Sequence, residues 1–166
     1  RLKKVTALQE MGVDPYPSKT GDFIAIKEAR ELMGKEVTVV GRLFAFREHG
    51  KLIFADLRDE AGQIQLMFKA DLLKEPDQKL AKLLDIGDFI GVEGEVMKTT
   101  AGEISIAPTS YMLLTKSLLP IPSEFFGVKD TETRFRQRYL DLLLNPETRE
   151  RFNIRTKIVS GIREYL

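Results

Sequence analysis

The stretch GRLFAFREHGKLIFADLRDEAGQIQLMF, residues 41–68, decides the fold of this chain. It contains the end of one strand-like segment and two further short strands, which are joined by a turn that carries Asp59 and Gly62. Alternation along the second strand places an apolar set on one face, namely Ile53, Ala55 and Leu57. The opposite face carries Leu52, Phe54 and Asp56. A large aromatic ring therefore shares a face with a carboxylate, and the pattern does not say what that ring contacts.

The strand-like segments occur in a regular order along the chain. They are rich in Val, Ile and Phe and cover residues 37–46, 51–57, 62–68, 88–96 and 103–108, the last of which can extend to Leu114. A helical segment at 70–85 separates the third strand from the fourth. Five strands with a helix in that position are the order of an OB-fold barrel, and Gly41 and Gly91 fit the bends that a small barrel needs. An ordinary antiparallel sheet with a packed helix is the alternative.

Helices are predicted on both sides of the barrel. On its N-terminal side they cover residues 1–11, which Gly12 stops, and residues 26–33, which end at Gly34. On its C-terminal side a helix at 132–144 has Thr131 as a possible N-cap, and another runs from Pro146 to the end with Asn145 as N-cap. The fold class is thus mainly β with α. The predicted domains are a helical region at 1–34, the barrel at 35–116, a linker at 117–131 and the start of a second domain at 132–166.

Composition excludes several classes of function. The 166 residues include no cysteine and one histidine, His49, so thiolate metal sites and histidine-built metal sites or triads are not expected. The absence of cysteine favours a reducing compartment, and we expect a cytoplasmic protein with no membrane-spanning segment. The carboxylates form no recognisable catalytic pattern, so no catalysis and no metal site are predicted within these residues. The chain does not begin with Met, and its last apolar helix has no stop signal, so we expect a piece of a larger protein.

The two faces of the hairpin indicate a binding surface. The third strand places Ile64, Leu66 and Phe68 inward and Gln65 outward, so Phe54 and Gln65 are direct or diagonal neighbours on the outer face. A ring can stack on a base, and an amide can hydrogen-bond to a base edge. OB-folds usually bind oligonucleotides on this face. A phenylalanine covered by a loop is the alternative, and the nearby Arg47 and Lys51 could equally contact phosphate or water.

Several motifs resemble one known family. The stretch GRLFAFREHGKLIFADLRDEAGQIQ resembles the anticodon-binding OB domain of class II aminoacyl-tRNA synthetases of the aspartate, asparagine and lysine group. The motifs KTTAGEISI, LLTKSLLPIP and RFRQRYLDLLLNPETRERFNIRTKIVSGIREYL look like the lysyl members as they enter the catalytic domain. The aspartyl enzymes share YLDL but lack the RFRQR-type lead-in. The same module of an aspartyl or asparaginyl enzyme remains an alternative, as does a free-standing OB-fold binder of single-stranded nucleic acid.

The resemblance implies roles for individual residues. Phe54 would stack on the central anticodon base, a uridine in tRNA(Lys), Gln65 would hydrogen-bond to it, and Arg47 would contact the same base or its backbone. Glu103, matched by the local GE motif, would help to read the anticodon. The last helix resembles the opening of the dimer-interface motif, where the apolar stripe includes Phe152, Ile158 and Ile162.

The resemblance also implies what the longer protein does. It would ligate lysine to tRNA(Lys) through a lysyl-adenylate, with ATP and Mg²⁺ as cofactors, and it would act as a homodimer. The motifs that bind ATP, magnesium and the amino acid are absent from this sequence. We therefore expect no catalytic residue and no cofactor in the present chain, and no ligase activity from it alone.

Overall fold

The five predicted strands close into a barrel in a computed structural model, which describes residues 1–49, 52–69, 75–122 and 130–166, without the side chains of 48, 49, 69 and 75–78. The strands are β1 (Glu36–His49), β2 (Leu52–Arg58), β3 (Gln63–Lys69), β4 (Phe89–Lys98) and β5 (Ile104–Thr115). Their order around the barrel is β1-β2-β3-β5-β4, and β1 also pairs with β4. The β3–β5 pairing is parallel and the other four are antiparallel. This confirms the OB-fold over the ordinary antiparallel sheet with a packed helix.

The barrel interior contains the apolar faces that alternation predicted. In β2, Ala55 and Leu57 are fully buried, and Ile53 is half-buried against the same core. In β3 the buried set is Ile64, Leu66 and Phe68. The hairpin therefore has the predicted register, and its polar and aromatic face points away from the core.

Two glycines allow neighbouring strands to approach closely. A Cβ on Gly41 would lie 2.6 Å from the carbonyl oxygen of Arg58, and one on Gly94 would lie still closer to the carbonyl oxygen of Ala107. The β4–β5 register shifts at Gly94, which marks a bulge that bends the barrel. At Gly91 a Cβ would meet mainly the flexible side chain of Met112, so that position is less demanding than the sequence suggested.

Within the described ranges, the helices that flank the barrel are α1 (Leu2–Glu10), α2 (Ile26–Ala29) and α3 (Glu75–Leu83). Leu8 of α1 and Ile26 of α2 are fully buried in the barrel core, so both helices belong to the same compact unit. The helix predicted at 26–33 is wrong in length, because regular helix ends at Ala29 and turns lead to Gly34, whose φ is +73°. The first residues of the helix predicted at 70–85, namely 70–74, lie outside the described part.

A buried ion-pair network joins the barrel to α1. The ammonium group of Lys116, which is 2% exposed, lies 2.6 Å from Asp85 Oδ2 and 2.7 Å from Asp88 Oδ2, and it donates to the carbonyl of Leu83 at 2.7 Å. Lys4 of α1 reaches Asp85 Oδ1 at 2.9 Å. Burial raises the pKa of the Asp85 carboxyl, but hydrogen bonds and charge from Lys116 and Lys4 outweigh it and hold the pKa below its ordinary value. The network therefore favours the ionised carboxylate.

The residues after Pro120 form a separate compact unit of helices. It contains α4 (Thr131–Arg136), α5 (Arg138–Leu144) and α6 (Pro146–Tyr165). The single helix predicted at 132–144 is wrong, because it breaks at Gln137, and its N-cap is Asp130, which accepts a hydrogen bond from Thr133 N at 2.7 Å. Buried Asp141 bridges the two short helices through Arg134 at 2.9 Å and Arg138 at 2.6 Å. No glycine or proline marks this break in the sequence.

Helix α6 begins as predicted and leaves its apolar residues exposed. The Asn145 side chain accepts hydrogen bonds from the amides of Glu147 and Thr148, and Pro146 occupies the first helical turn. Side chains proposed for a dimer interface are exposed to 39%, 58% and 54% at Phe152, Ile158 and Ile162. Their role in dimerisation stays a prediction. Within the described ranges, none of the helices combines the length and the apolar character needed to span a membrane.

The close approach at Gly94 predicts a large effect of a single methyl group. We expect Gly94→Ala to lower the free energy of unfolding by about 1–3 kcal/mol, because the new Cβ meets rigid backbone rather than a movable side chain. Gly21→Ala is the matched control, since nothing lies within 4 Å of its added Cβ. Urea denaturation of both variants measures the effect, and equal stability would contradict the proposed close packing of β4 on β5.

The lowered pKa of Asp85 predicts acid sensitivity. A carboxyl whose pKa is lowered on folding stabilises the protein above its ordinary pKa, and this stabilisation is lost as pH falls below about 4. We expect Asp85→Asn to be less stable than the native chain at pH 7 and to lose less stability between pH 5 and pH 2. Urea denaturation across this range measures how the free energy of unfolding changes with pH, and Asp22→Asn, at an exposed position, is the control. If the free energy of unfolding of Asp85→Asn and of the native chain fell equally with pH, the network would not contribute to acid sensitivity as proposed.

Candidate nucleic-acid interface

The register of the β2–β3 hairpin fixes the relation between Phe54 and Gln65. Phe54 pairs with Met67, and Asp56 pairs with Gln65, so Phe54 and Gln65 are diagonal neighbours on the outer face. On the other side of β2, Arg47 of β1 pairs directly with Phe54. Diagonal neighbours lie within reach of long and aromatic side chains. Three predicted site residues therefore share one face of three adjacent strands.

This face forms one wall of an open groove of about 620 Å³. The groove brings together all four residues that the sequence predicted for binding: Arg47, Phe54, Gln65 and Glu103. Further lining comes from β2, β3, the end of β4 and the β4–β5 turn, namely Leu52, Met67, Met97, Lys98, Thr99, Thr100 and Ala101. The groove thus lies on the strand-2/strand-3 face and beside the loop between strands 4 and 5, where OB-folds bind oligonucleotides.

Hydrogen bonds link Gln65 in β3 to β5 and to the turn that precedes it, where the barrel closes. Gln65 in β3 pairs with Ser105 in β5, and the Ser105 hydroxyl donates to Gln65 Oε1 at 2.9 Å. The Gln65 amide nitrogen lies 3.4 Å from Glu103 Oε2. Ser105 is fully buried, whereas Glu103 is exposed at the groove rim. The amide is therefore held between a buried hydroxyl and an exposed carboxylate.

The position of Asp56 explains why a carboxylate shares the face with Phe54. Its Oδ2 lies 3.2 Å from an Arg47 guanidinium nitrogen, and its side chain is only 15% exposed. Arg47 itself is 59% exposed on its side chain, so this ion pair contributes little to stability. Its consequence is geometric, because it holds an otherwise long and mobile guanidinium beside Asp56, on the face that also carries Phe54.

The β4–β5 turn is closed by Thr99. Its hydroxyl accepts a hydrogen bond from Glu103 N at 3.1 Å and lies 3.2 Å from Glu103 O, while its amide donates to the same carbonyl at 2.9 Å. Gly102, with φ +88°, makes the left-handed bend that the turn requires. These bonds fix the backbone of Glu103 at the rim of the groove.

The groove combines features suited to a single-stranded nucleic acid. Phe54 and Gln65 are both half-buried, so parts of a ring and of an amide reach solvent on the same face. Apolar walls from Met67 and Met97 are bordered by the cations Arg47 and Lys98. A stacking surface beside hydrogen-bonding groups, with cations at the edge for phosphate, is the arrangement that binds unpaired bases.

Pattern reasoning missed the residues that orient this site. Ser105 and Thr99 sit in β5 and its preceding turn, and their partners are distant or depend on the turn geometry. Alternation in EISIAP places Ser105 on the outer face, opposite to Ile104 and Ile106, but the sequence carries no signal for its partner on β3. Of the other residues considered, Lys51 and the His49 side chain lie outside the described part.

Comparison with known proteins identifies the class of the barrel. Residues 37–114 match the tRNA anticodon family, described as an OB-fold nucleic acid binding domain, and the barrel belongs to that family. The matched range extends from β1 to β5 and includes every residue predicted to bind RNA. The fold, the groove and this match make the barrel an anticodon-binding OB-fold domain, which implies binding to tRNA.

Lysine–tRNA ligases are among the proteins that the whole chain resembles. The chain is 46% identical over 171 residues to the lysine–tRNA ligase of Thermoanaerobacter sp. (strain X514), which it matches with 100% of its own length and 34% of that protein. It is 45% identical to the enzyme of Moorella thermoacetica, with 100% and 35% covered, and 43% identical to lysine–tRNA ligase 2 of Methanosarcina acetivorans, with 100% and 34% covered. The chain spans about a third of the length of these curated relatives.

The hydrogen bonds of Thr99 predict a measurable rigidity of the β4–β5 turn. We expect Thr99→Ala to speed hydrogen exchange of the Glu103 amide by about fivefold to tenfold, because that amide loses its side-chain acceptor. Thr100→Ala is the matched control, since Thr100 is an exposed residue of the same turn. Exchange followed by NMR measures the rates, and an unchanged Glu103 rate would show that the hydroxyl does not hold the turn.

Proposed function

We propose that this chain reads the anticodon loop of tRNA(Lys) as part of a protein that ligates lysine to that tRNA. The observation that carries the proposal is the convergence of Arg47, Phe54, Gln65 and Glu103 on one groove. The names of the relatives support lysine as the amino acid and tRNA as the partner.

Each of the four residues has a distinct task in the proposed complex. The ring of Phe54 stacks on the central anticodon base, which buries an apolar face of that base. The Gln65 amide hydrogen-bonds to the base edge, since an amide offers both a donor and an acceptor. Arg47, directed by Asp56, contacts the same base or its phosphate, and Glu103 accepts a hydrogen bond from the anticodon at the groove rim.

The two alternative functions are less well supported. The same module of an aspartyl or asparaginyl enzyme would share the Phe54–Gln65 pair, but the relatives described above are lysine–tRNA ligases along the full chain. A free-standing OB-fold binder has no need of the helical unit after Pro120. That unit lies within the region shared with the ligases, which favours a multidomain ligase.

The remaining steps of the reaction belong to parts of the full-length protein beyond this region. We propose that ATP and Mg²⁺ act there, as the resemblance to the class II synthetases implies. We also propose that this chain alone has no ligase activity, that the full-length protein is a cytoplasmic homodimer, and that α6 contributes Phe152, Ile158 and Ile162 to the dimer interface.

Substitution of the stacking ring tests the proposed function. We expect Phe54→Ala to weaken binding of an anticodon stem-loop with the sequence UUU by about 1–3 kcal/mol, or roughly fivefold to 150-fold in Kd. Changing the central U to another base should weaken binding to the native chain. Isothermal titration or fluorescence anisotropy at one fixed salt concentration measures both effects.

Phe23→Ala provides the matched control for this experiment. Phe23 is 55% exposed and does not line the groove, so its removal should leave Kd unchanged. Two results would refute base reading by this groove: equal binding of the native chain to loops with and without the central U, or equal effects of Phe54→Ala and Phe23→Ala.

A further inference from the structure

We propose that Glu103 acts as a positioning residue that sets the orientation of the Gln65 amide, which Ser105 anchors on the barrel side, and that this orientation selects uridine over cytidine at the base that Gln65 reads. The inference rests on the proposed function, in which Gln65 contacts an anticodon base. It adds that the identity of the base is decided by the carboxylate beside the amide rather than by the amide alone.

The contacts around Gln65 define the orientation of its amide. A carboxylate only accepts hydrogen bonds, so Glu103 Oε2, 3.4 Å from the amide nitrogen, favours the orientation with nitrogen toward the groove rim. A flipped amide would place its carbonyl oxygen against that carboxylate, which is repulsive. A serine hydroxyl can donate or accept, so Ser105 adapts to this choice and donates to Gln65 Oε1 at 2.9 Å.

On the barrel side, the hydrogen bond from Ser105 to Gln65 is costly to lose because Ser105 is buried. Its side chain is fully buried, so loss of its hydrogen bond would leave a buried hydroxyl without a partner. The parallel pairing of Gln65 with Ser105 places the two side chains together. On the rim side, the bonds of Thr99 to the Glu103 backbone limit the positions available to the carboxylate.

A fixed amide distinguishes the two pyrimidines by the order of donor and acceptor. Uracil presents an N3–H donor flanked by two carbonyl acceptors, so it pairs with an amide whose C=O faces N3 and whose N–H faces a flanking carbonyl. Cytosine presents N3 as an acceptor beside an amino donor, so the same edge requires the amide turned through 180°. An amide free to flip can satisfy either base, whereas a fixed one satisfies only one of them.

The test compares two stem-loops that differ only in the central anticodon base, U or C. For each protein the discrimination is the ratio of Kd for the C loop to Kd for the U loop. We expect Glu103→Gln to reduce this ratio by about fivefold to tenfold, because a neutral amide at 103 can donate as well as accept and no longer opposes the flip. Because the Ser105 hydroxyl can bond to either end of the amide, we expect Ser105→Ala to weaken binding of the U loop and the C loop alike and to leave the ratio near its native value.

Ser110→Ala is the matched control, because Ser110 lies on the same strand but bonds to Glu93 at 3.0 Å and does not line the groove. It should keep the native ratio. A general loss of structure would weaken both loops together and leave the ratio unchanged, so the ratio reports orientation. Because Glu103 is exposed, Glu103→Gln remains informative even where Ser105→Ala fails to fold.

The two hypotheses fail in different ways. A native chain that prefers the U loop, together with a Glu103→Gln variant of equal preference, would overturn the orientation mechanism while base reading stands. A native chain that binds both loops equally would overturn both proposals.

Discussion

The short parallel ladder between β3 and β5 is the contact on which the binding groove depends. Its two residue pairs, Gln65 with Ser105 and Leu66 with Ile106, alternate between the outer and inner surfaces of the barrel. Leu66 and Ile106 are fully buried and anchor the closure in the core. The neighbouring pair then places the reading amide beside β5 and the turn before it. Without closure, residues 38 positions apart in sequence, Gln65 and Glu103, would not meet.

A buried polar network fixes a second part of the barrel unit, namely the end of β5 and the attached helix α1. Lys116 at the end of β5 is buried among carboxylates of the α3–β4 connection, one of which also binds Lys4 of α1. A buried ion pair is seldom a large net gain in stability, but an unpaired member is costly. The network therefore penalises structures in which α1 or the end of β5 is misplaced. Apolar packing closes the barrel, and this network specifies how its N-terminal helix attaches.

Much of the fold was predictable because strand periodicity is a local signal. The inward sets of β2 and β3 followed from alternation, as did the shared face of Phe54 and Gln65. The predictions failed where tertiary contacts override local pattern. The break at Gln137 accompanies the bridging of two helices by Asp141, and neither residue is a helix breaker. The bulge at Gly94 depends on the approach of Ala107, which lies on another strand.

The sequence by itself determined the five strands, their inward and outward faces, the cap of α6 and, through family motifs, the four residues expected to contact RNA. Those properties are encoded in neighbouring residues or in short motifs. Only the tertiary structure decided how the four residues meet, that Asp56 directs Arg47, and that Ser105 and Glu103 hold Gln65. Barrel closure creates these contacts between distant segments, and hydrogen bonds depend on distances and angles that periodicity alone does not specify.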